Sequence, residues 1–310
     1  MGMVDLKVKV LGVNFRNPII IASGPGGFGD ELRKHLDFSK IGGFITKTVT
    51  LNPKEGNAPP RIVDTHGGIL NSVGLQNPGI EKFVENIIPQ LKDLDTNIFV
   101  SIGGDSPEEF KTVAQIIDNF QFIKGIELNL SCPNVSKGGL LFSKDPTLLN
   151  HIVSLVTNVT NKPIIAKLTP EVTDITEFAK VAIEGGADGI SLINCPQGLR
   201  IDINTGLPYL RRGIGGLSGP AIKPIALAKI YQVRDKFPDI PIIGVGGVMT
   251  YEDILEFAMA GANLVAIGTG IMINPKLPEE VLPKLMEFLE SKGINRYEEI
   301  VGIAHKGGLG

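Results

Sequence analysis

The sequence predicts an α/β protein built as a (β/α)8 barrel of the TIM type, with an N-terminal hairpin and long strand-to-helix insertions on the C-terminal face. Three observations carry that expectation. Eight short, almost continuously apolar runs recur along the chain, as strands buried on both faces of a parallel sheet require. The segments between them open on helix-start signals, and eight alternations within 310 residues favour a closed barrel over the open doubly wound sheet that is its alternative. Finally, no linker or charge block divides the chain, so residues 1–310 read as one barrel domain.

In chain order, Val8 to Val10 and Val13 to Phe15 read as the opening hairpin. The eight barrel strands follow as Ile19–Ser23, Phe44–Thr48, Ile98–Ile102, Gly125–Ser131, Pro163–Leu168, Gly189–Asn194, Pro241–Val245 and Leu264–Gly268. Ser106-Pro-Glu-Glu109 offers an N-cap, a proline at the first helical position and a capping-box glutamate; Asp174-Ile-Thr-Glu177 and Thr250-Tyr-Glu-Asp253 are built alike. Ile80, Phe83, Val84, Ile87, Ile88 and Leu91 repeat at helical spacing, but Pro89 removes a backbone donor and must kink that helix or end it early. Three connections, roughly 51–78, 133–144 and 196–218, are too long for turns, and in a barrel all lie on the face where active sites form. The third carries a small hairpin turning at Asn204-Thr-Gly206.

Composition narrows the function. With 43% hydrophobic and 20% charged residues and a net charge of −3, the chain can bury a large core and carries no basic field for nucleic acid. The N-terminus has no signal-peptide layout, and no apolar run approaches the ~18 residues of a membrane span, so a cytoplasmic home is expected. Cys132 and Cys195 are too few for a disulfide framework or for an iron–sulfur cluster held by four thiolates. The four histidines are scattered, and no metal site is expected.

Chemistry concentrates at Glu127-Leu-Asn-Leu-Ser-Cys-Pro-Asn134, a strand stopped by proline, so Cys132 stands at a strand tip. The following Gly138-Gly139 pair and the apolar Leu140, Leu141 and Phe142 have the make-up of a lid. Cys132 alone reads as a small buried hydrophobe, but its neighbours and position favour catalysis. Gly24-Pro-Gly-Gly-Phe-Gly29 fits a dinucleotide fingerprint. The next strand ends in Lys47 rather than an acid, however, so a glycine turn that lets a ligand approach Ala22 and Ser23 is the better reading. Gly246-Gly247 and Gly268-Thr269 end the last two strands just before helices, where barrels bind phosphate; the plain alternative is a tight corner. Lys47 and Lys167 at strand tips, with Asn71, Asn77, Asn129, Asn134 and Asn194 around them, suit a planar heterocycle bearing carbonyls and ring N–H groups.

Five segments in order resemble the dihydroorotate dehydrogenase family: Lys47-Thr48, Asn71-Ser-Val-Gly-Leu-Gln-Asn-Pro-Gly79, Asn129-Leu-Ser-Cys-Pro-Asn134, Gly215-Gly-Leu-Ser-Gly-Pro220 and Gly244-Val-Gly-Gly247. The resemblance implies oxidation of dihydroorotate to orotate in pyrimidine synthesis, with flavin mononucleotide on the barrel's C-terminal face. It makes Cys132 the catalytic base, as in the soluble class 1 enzymes. It places Lys47, Asn71, Val73, Gly74, Leu75, Asn129, Asn134, Asn194 and Cys195 around the substrate. The flavin would lie against Ser23, Lys47, Thr48, Asn129, Lys167 and Ile193, with its phosphate at Gly219, Gly246, Gly247, Gly268 and Thr269. Two positions depart from the family pattern: Ser101 where asparagine is common, and Cys195 where serine or threonine is usual. Because the barrel begins almost at once, the quinone route of membrane-associated relatives is not expected. A homodimer is expected, and Gln76-Asn-Pro78 resembles the two-subunit class 1B group, whose partner carries FAD and an iron–sulfur cluster and passes electrons to NAD. The alternatives are a fumarate-linked homodimer, a Schiff-base lyase or isomerase using Lys47 or Lys167, and a barrel that only binds a phosphate ligand.

Overall fold

The computed structural model describes residues 4–130 and 144–309. An antiparallel hairpin of β1 (Val8–Val10) and β2 (Val13–Phe15) opens the chain. Barrel strands β3 (Ile19–Ile21) and β4 (Gly43–Ile45) follow, then an excursion of β5 (Ile62–Thr65) and β6 (Gly68–Asn71), then barrel strands β7 (Asn97–Ile102), β8 (Ile123–Asn129), β9 (Ile164–Leu168) and β10 (Gly189–Leu192). A second excursion holds β11 (Gln197–Gly198), β12 (Ile201–Asp202), β13 (Leu207–Pro208) and β14 (Gly215–Ser218), and β15 (Ile242–Val245) and β16 (Leu264–Ile267) complete the barrel. The strands β3, β4, β7, β8, β9, β10, β15 and β16 pair in that order and close on themselves, all parallel. The fold is the expected (β/α)8 barrel.

The strands are short because each is buried on both faces and needs only enough length to fill the barrel. Ile19, Ile21, Phe44, Val100, Ile126, Ile165, Ile190, Ile242 and Ile267 are all inaccessible or nearly so. The opening hairpin covers the N-terminal end. Phe15 stacks on Phe99 with ring centroids 5.9 Å apart, and Asn97 Nδ2 donates to Asn14 O at 3.0 Å. That closure leaves the opposite end of the barrel as the open one.

Among the helices, the segment after β6 begins as α1 (Gly79–Lys82), widens into a π turn over Phe83–Ile87, and resumes as α2 (Ile88–Leu91). Pro89, which cannot donate to the preceding turn, stands at the start of that last piece, as its chemistry requires. The helix α3 (Pro107–Asp118) is capped by Ser106, whose side chain accepts from Glu109 N, and buries Phe110, Val113, Ala114 and Ile117 at helical spacing. The Glu109 carboxylate reaches back to Asp105 N rather than to the cap residue itself. Next come α4 (Pro146–Thr157), capped by Asp145, α5 (Ile175–Glu184), capped by Asp174, and α6 (Lys223–Lys236). The helix α7 (Tyr251–Ala260) carries the full Thr250–Asp253 capping box, and α8 (Thr269–Ile273) and α9 (Leu277–Ser291) finish the set. The first strand-to-helix unit departs from the expected alternation. Between β3 and β4 the structure has two 3-10 turns, Leu32–Lys34 and Phe38–Lys40, in place of an α-helix.

The two long excursions do not stay separate. β6 pairs with β5 on one side and with β14 on the other, and β14 pairs with β11, giving a four-stranded antiparallel sheet over the open end of the barrel. The small hairpin of β12 and β13 turns where Asn204-Thr-Gly206 predicts.

Candidate functional site

The open end of the barrel holds a cavity of about 760 Å³, walled by strand ends below and by the four-stranded sheet at the side. That size suits a single large heterocyclic ligand. Ser23, Lys47, Thr48, Asn129, Lys167, Ile193, Gly219, Gly246, Gly247, Gly268 and Thr269 all line it, as do Asn71, Val73, Gly74, Leu75, Asn194 and Cys195. Cys132 and Asn134, with the glycine-hinged segment expected to act as a lid, lie outside the described residues.

A chain of hydrogen bonds crosses the floor, and its polarity follows from one fixed end. Cys195 N can only donate, and it donates to Asn194 Oδ1 at 2.9 Å. Asn194 Nδ2 must then be the donor to Asn129 Oδ1 at 3.1 Å, which leaves Asn129 Nδ2 to donate to Thr48 Oγ1 at 3.0 Å. Each amide nitrogen keeps a second N–H, so this wall offers donors to a ligand's carbonyl oxygens. Thr48 Oγ1 also pairs with Ser101 Oγ at 3.0 Å. Ser101 is fully buried and does not line the cavity. The departure from asparagine therefore acts through Thr48 rather than by direct contact.

Two lysines face the cavity in different ways. Burial, with the Arg61 guanidinium adding to it, holds the Lys47 ammonium below the usual lysine range. Arg61 is itself held by Gln76, to whose Oε1 its Nη2 donates at 2.7 Å. Lys167 is 6% exposed, and its Nζ lies 3.5 Å from Glu127 Oε1. That contact ties the end of the lysine side chain to the base of the cavity. Burial pushes the Cys195 thiol up, and the neighbouring Lys167 charge opposes that rise only in part.

At the other end, Gly246 and Gly247 lead towards α7. An added Cβ on Gly247 would stand 2.8 Å from Gly219 O and 3.1 Å from Lys223 N, so backbone closes round it on two sides. Lys223 Nζ bonds Asp253 Oδ1 at 2.6 Å and Glu256 Oε2 at 2.9 Å, while Asp253 Oδ2 accepts from Met249 N and Thr250 N. The loop from 246 to 250 is thereby pinned on its outer side, with its inner side to the cavity. Thr269 Oγ1 donates to Ser218 Oγ at 2.9 Å beside it. At Gly268 an added Cβ would find its nearest neighbour at 3.8 Å, so the space there is open. Glycines, a threonine hydroxyl and the N-terminal end of α8 around an open volume make a setting for an anion.

Sequence reasoning missed Asn57 and the outer rim of Lys144, Glu171 and Gln197. Asn57 Nδ2 donates to Ser72 O at 2.7 Å and its N to Val73 O at 3.0 Å, which shapes the turn through Gly74 and Leu75. Leu75 sits at φ 54°, a left-handed conformation rare for a residue with a side chain. Asn57 lies in a stretch without apolar period, so only its Gly56-Asn57 pairing marks it as a turn. Glu171 Oε1 accepts from Gln197 N at 2.8 Å, and Glu171 Oε2 lies 3.9 Å from Lys144 Nζ. These are long-range partners that local sequence does not announce.

Comparison with known proteins agrees with this geometry. The family model described as dihydroorotate dehydrogenase matches residues 5–289. A protein of Aquifex aeolicus with the provisional name dihydroorotate dehydrogenase A (fumarate) is 48% identical over 303 residues, 97% of this chain and 99% of that one. Two proteins named dihydroorotate dehydrogenase B (NAD(+)), catalytic subunit, are similar to a like degree. That of Caldicellulosiruptor bescii is 47% identical over 298 residues (96% and 98% of the two chains), and that of Geotalea uraniireducens is 43% identical over 302 residues (97% and 99%). No helix among the described residues is long and apolar enough to cross a membrane, and no group of three potential metal ligands occurs among them. With its family model running from the first hairpin to the last long helix, the chain belongs to the dihydroorotate dehydrogenase family.

Proposed function

We propose that residues 1–310 form one flavin-binding barrel that oxidises dihydroorotate to orotate in pyrimidine synthesis. The observation that carries this reading is the one cavity that the asparagine donor chain, Lys47, Lys167 and the glycine-lined end all line. The residues present suit flavin mononucleotide. Gly219, Gly246, Gly247, Gly268 and Thr269 would take the phosphate, and Ser23, Thr48, Asn129, Lys167 and Ile193 the ring system. When bound, that cofactor supplies a two-electron acceptor for the hydride leaving C6 of the substrate.

The chain's own residues do the rest. Asn71, Asn129, Asn134 and Asn194 orient the pyrimidine by its carbonyls and N–H groups, and the Lys47 ammonium meets the substrate carboxylate. Val73, Gly74, Leu75 and Cys195 close the sides and exclude water. Cys132 receives the C5 proton; a free thiol has a pKa of ~8.5, so it serves only if the closed site favours the thiolate. The test is direct: the purified protein, given flavin mononucleotide, is yellow, and anaerobic dihydroorotate bleaches it. A colourless protein, or a yellow one that dihydroorotate leaves oxidised, would overturn the reading.

For electron exit we propose the partner-dependent, NAD-linked form, on the strength of Gln76-Asn-Pro78 and of relatives named as NAD-linked catalytic subunits. The partner would carry FAD and an iron–sulfur cluster. The exposed apolar side chains of Leu199, Ile201, Ile203 and Leu207 support a homodimer as its core. A fumarate-linked homodimer is the second reading, favoured by the 48% identical relative. The lone chain should reduce an artificial dye but neither NAD nor fumarate at a useful rate, and brisk fumarate reduction would decide for the second reading.

A further inference from the structure

One buried charged group has no part in the function just described. Glu127 lies on β8 two residues before Asn129, so its side chain points to the same side of the strand, into the barrel one layer beneath the cavity. It is 1% exposed, and neither carboxylate oxygen has a hydrogen-bond partner among the described residues. What it has is Lys167, whose Nζ is 3.5 Å from Oε1. Lys167 stands in register with Asn129 on the adjoining strand β9 and lines the cavity. On its other side Ser191, in register with it on β10, has a buried hydroxyl that is also without a partner.

Stability does not explain such a pair. Burying two charges costs as much as their attraction returns, and well-packed apolar side chains in their place are often neutral or better. The positions in register with the pair on the outer neighbouring strands, Ser101 and Ser191, are buried hydroxyls that bring no further charge to compensate it. The benefit must lie where the lysine ends, at the cavity. We propose that Glu127 is a positioning residue: its carboxylate anchors the Lys167 ammonium at the cavity floor and does not itself touch the ligand. The functional consequence rests on the flavin reading above, whereas the pairing can be tested in ligand-free protein.

The sign of one measurement separates anchoring from a bare field effect. A buried negative charge on its own disfavours electrons placed in the cavity, so removing it by field alone would move the potential of bound flavin upward. Loss of a fixed ammonium moves it downward, because the reduced, more negative ligand loses its countercharge. The experiment compares the wild type with E127Q, K167M, the double variant E127Q/K167M and E127D. It uses the midpoint potential of bound flavin mononucleotide and the melting temperature of the ligand-free chain. Anchoring predicts that E127Q weakens binding of reduced relative to oxidised flavin about tenfold, a downward shift of about 30 mV for two electrons. K167M should shift the same way, the double variant should be no lower than K167M, and E127D should recover part of the loss. Without ligand, E127Q should melt below the double variant, since the single change strands a buried ammonium and the double does not. An unchanged or upward potential in E127Q, or effects that simply add in the double variant, would overturn the proposal. Should E127Q be too unstable to hold flavin, its melting order against the double variant decides. A wild type that binds no flavin at all would refute the functional reading, and the same thermal comparison would still judge the pair.

Discussion

Gly247→Ala isolates the anion end of the cavity, because two separate costs can be worked out and one of them subtracted. Gly247 has φ +80°, so any side chain there pays about 1–2 kcal/mol for the left-handed conformation. Its Cβ would also meet Gly219 O at 2.8 Å and Lys223 N at 3.1 Å, both backbone atoms that cannot swing aside. Overpacking of that kind costs roughly 1–3 kcal/mol. Gly293, just past the end of α9, has φ +69° and no heavy atom within 4 Å of an added Cβ. Gly293→Ala therefore carries the conformational cost alone. At roughly 2–4 °C per kcal/mol, Gly293→Ala should melt a few degrees low and Gly247→Ala about twice as far down. The binding readout is sharper. Pushing the Gly219 and Gly247 backbones apart by a few tenths of an ångström disturbs the proposed phosphate contacts, and each 1.4 kcal/mol lost there is tenfold in Kd. Titration of the flavin-free protein should show at least tenfold weaker flavin mononucleotide binding for Gly247→Ala and an unchanged Kd for Gly293→Ala. A folded Gly247→Ala protein with wild-type affinity would refute the assignment of the phosphate to this end.

Two further outcomes are expected. Lys47 is held below the usual lysine range by burial, so between its native and unfolded pKa the unfolded chain binds more protons and stability rises with pH. Below its native pKa the buried charge is a net cost, and Lys47→Met should raise the melting temperature of the ligand-free protein at pH 7. That gain should fade as pH climbs towards the ordinary lysine value, while stopped-flow reduction by dihydroorotate becomes slow; a pH-independent gain would show that packing, not charge, is responsible. At Cys132, replacement by alanine should retain the flavin and nearly abolish turnover. Serine should keep a residual rate that grows with pH, since its hydroxyl is far harder to ionise. Wild-type turnover in the alanine variant would remove Cys132 from the chemistry.

The barrel was legible because its strands are buried on both faces and leave apolar runs that no other placement explains. Ile19–Ile21 and Leu264–Ile267 lie inside the stretches read from sequence, whose ends overshoot where the chain turns from the ladder into the cavity wall, as at Ser23, Thr48 and Asn194. Helix starts fared as well, because Ser106, Asp174 and Thr250 cap within one turn and depend on nothing distant, although only Thr250 and Asp253 complete the reciprocal box. The missing first helix was harder to foresee. Leu32 and Phe38 bury well from two 3-10 turns and Leu36 from the link between them, so burial alone does not specify the helix that the alternation implies. The site follows the same division. Lysines and glycines at strand tips are placed by the barrel itself, whereas Asn57 and Glu171 enter the cavity through partners far along the chain.

The least legible feature is the sheet formed from two excursions more than a hundred residues apart, and its geometry explains one sequence motif. β14 meets β6 with Gly216 opposite Asn71, and Asn71 Nδ2 lies 3.5 Å from Gly216 O. An added Cβ on Gly215 would stand 2.6 Å from Asn71 O and 2.5 Å from Leu210 Cδ1, and one on Gly216 would stand 2.8 Å from Cys195 Cβ. Neither glycine has room for a side chain. The Gly215-Gly216 pair thus lets one strand lie between Asn71 and Cys195, two residues that the barrel alone would leave unconnected. Gly198, on β11, is closed in the same way by Leu70 Cδ2 at 2.7 Å. It follows that the proposed substrate end of the cavity is set by how closely these two excursions approach, while the proposed phosphate end joins Gly219, just past β14, to the tips of the last two barrel strands. A side chain at Gly215 would act on Asn71 and one at Gly216 on Cys195, and either would reach the proposed phosphate contacts only along β14, through Gly219.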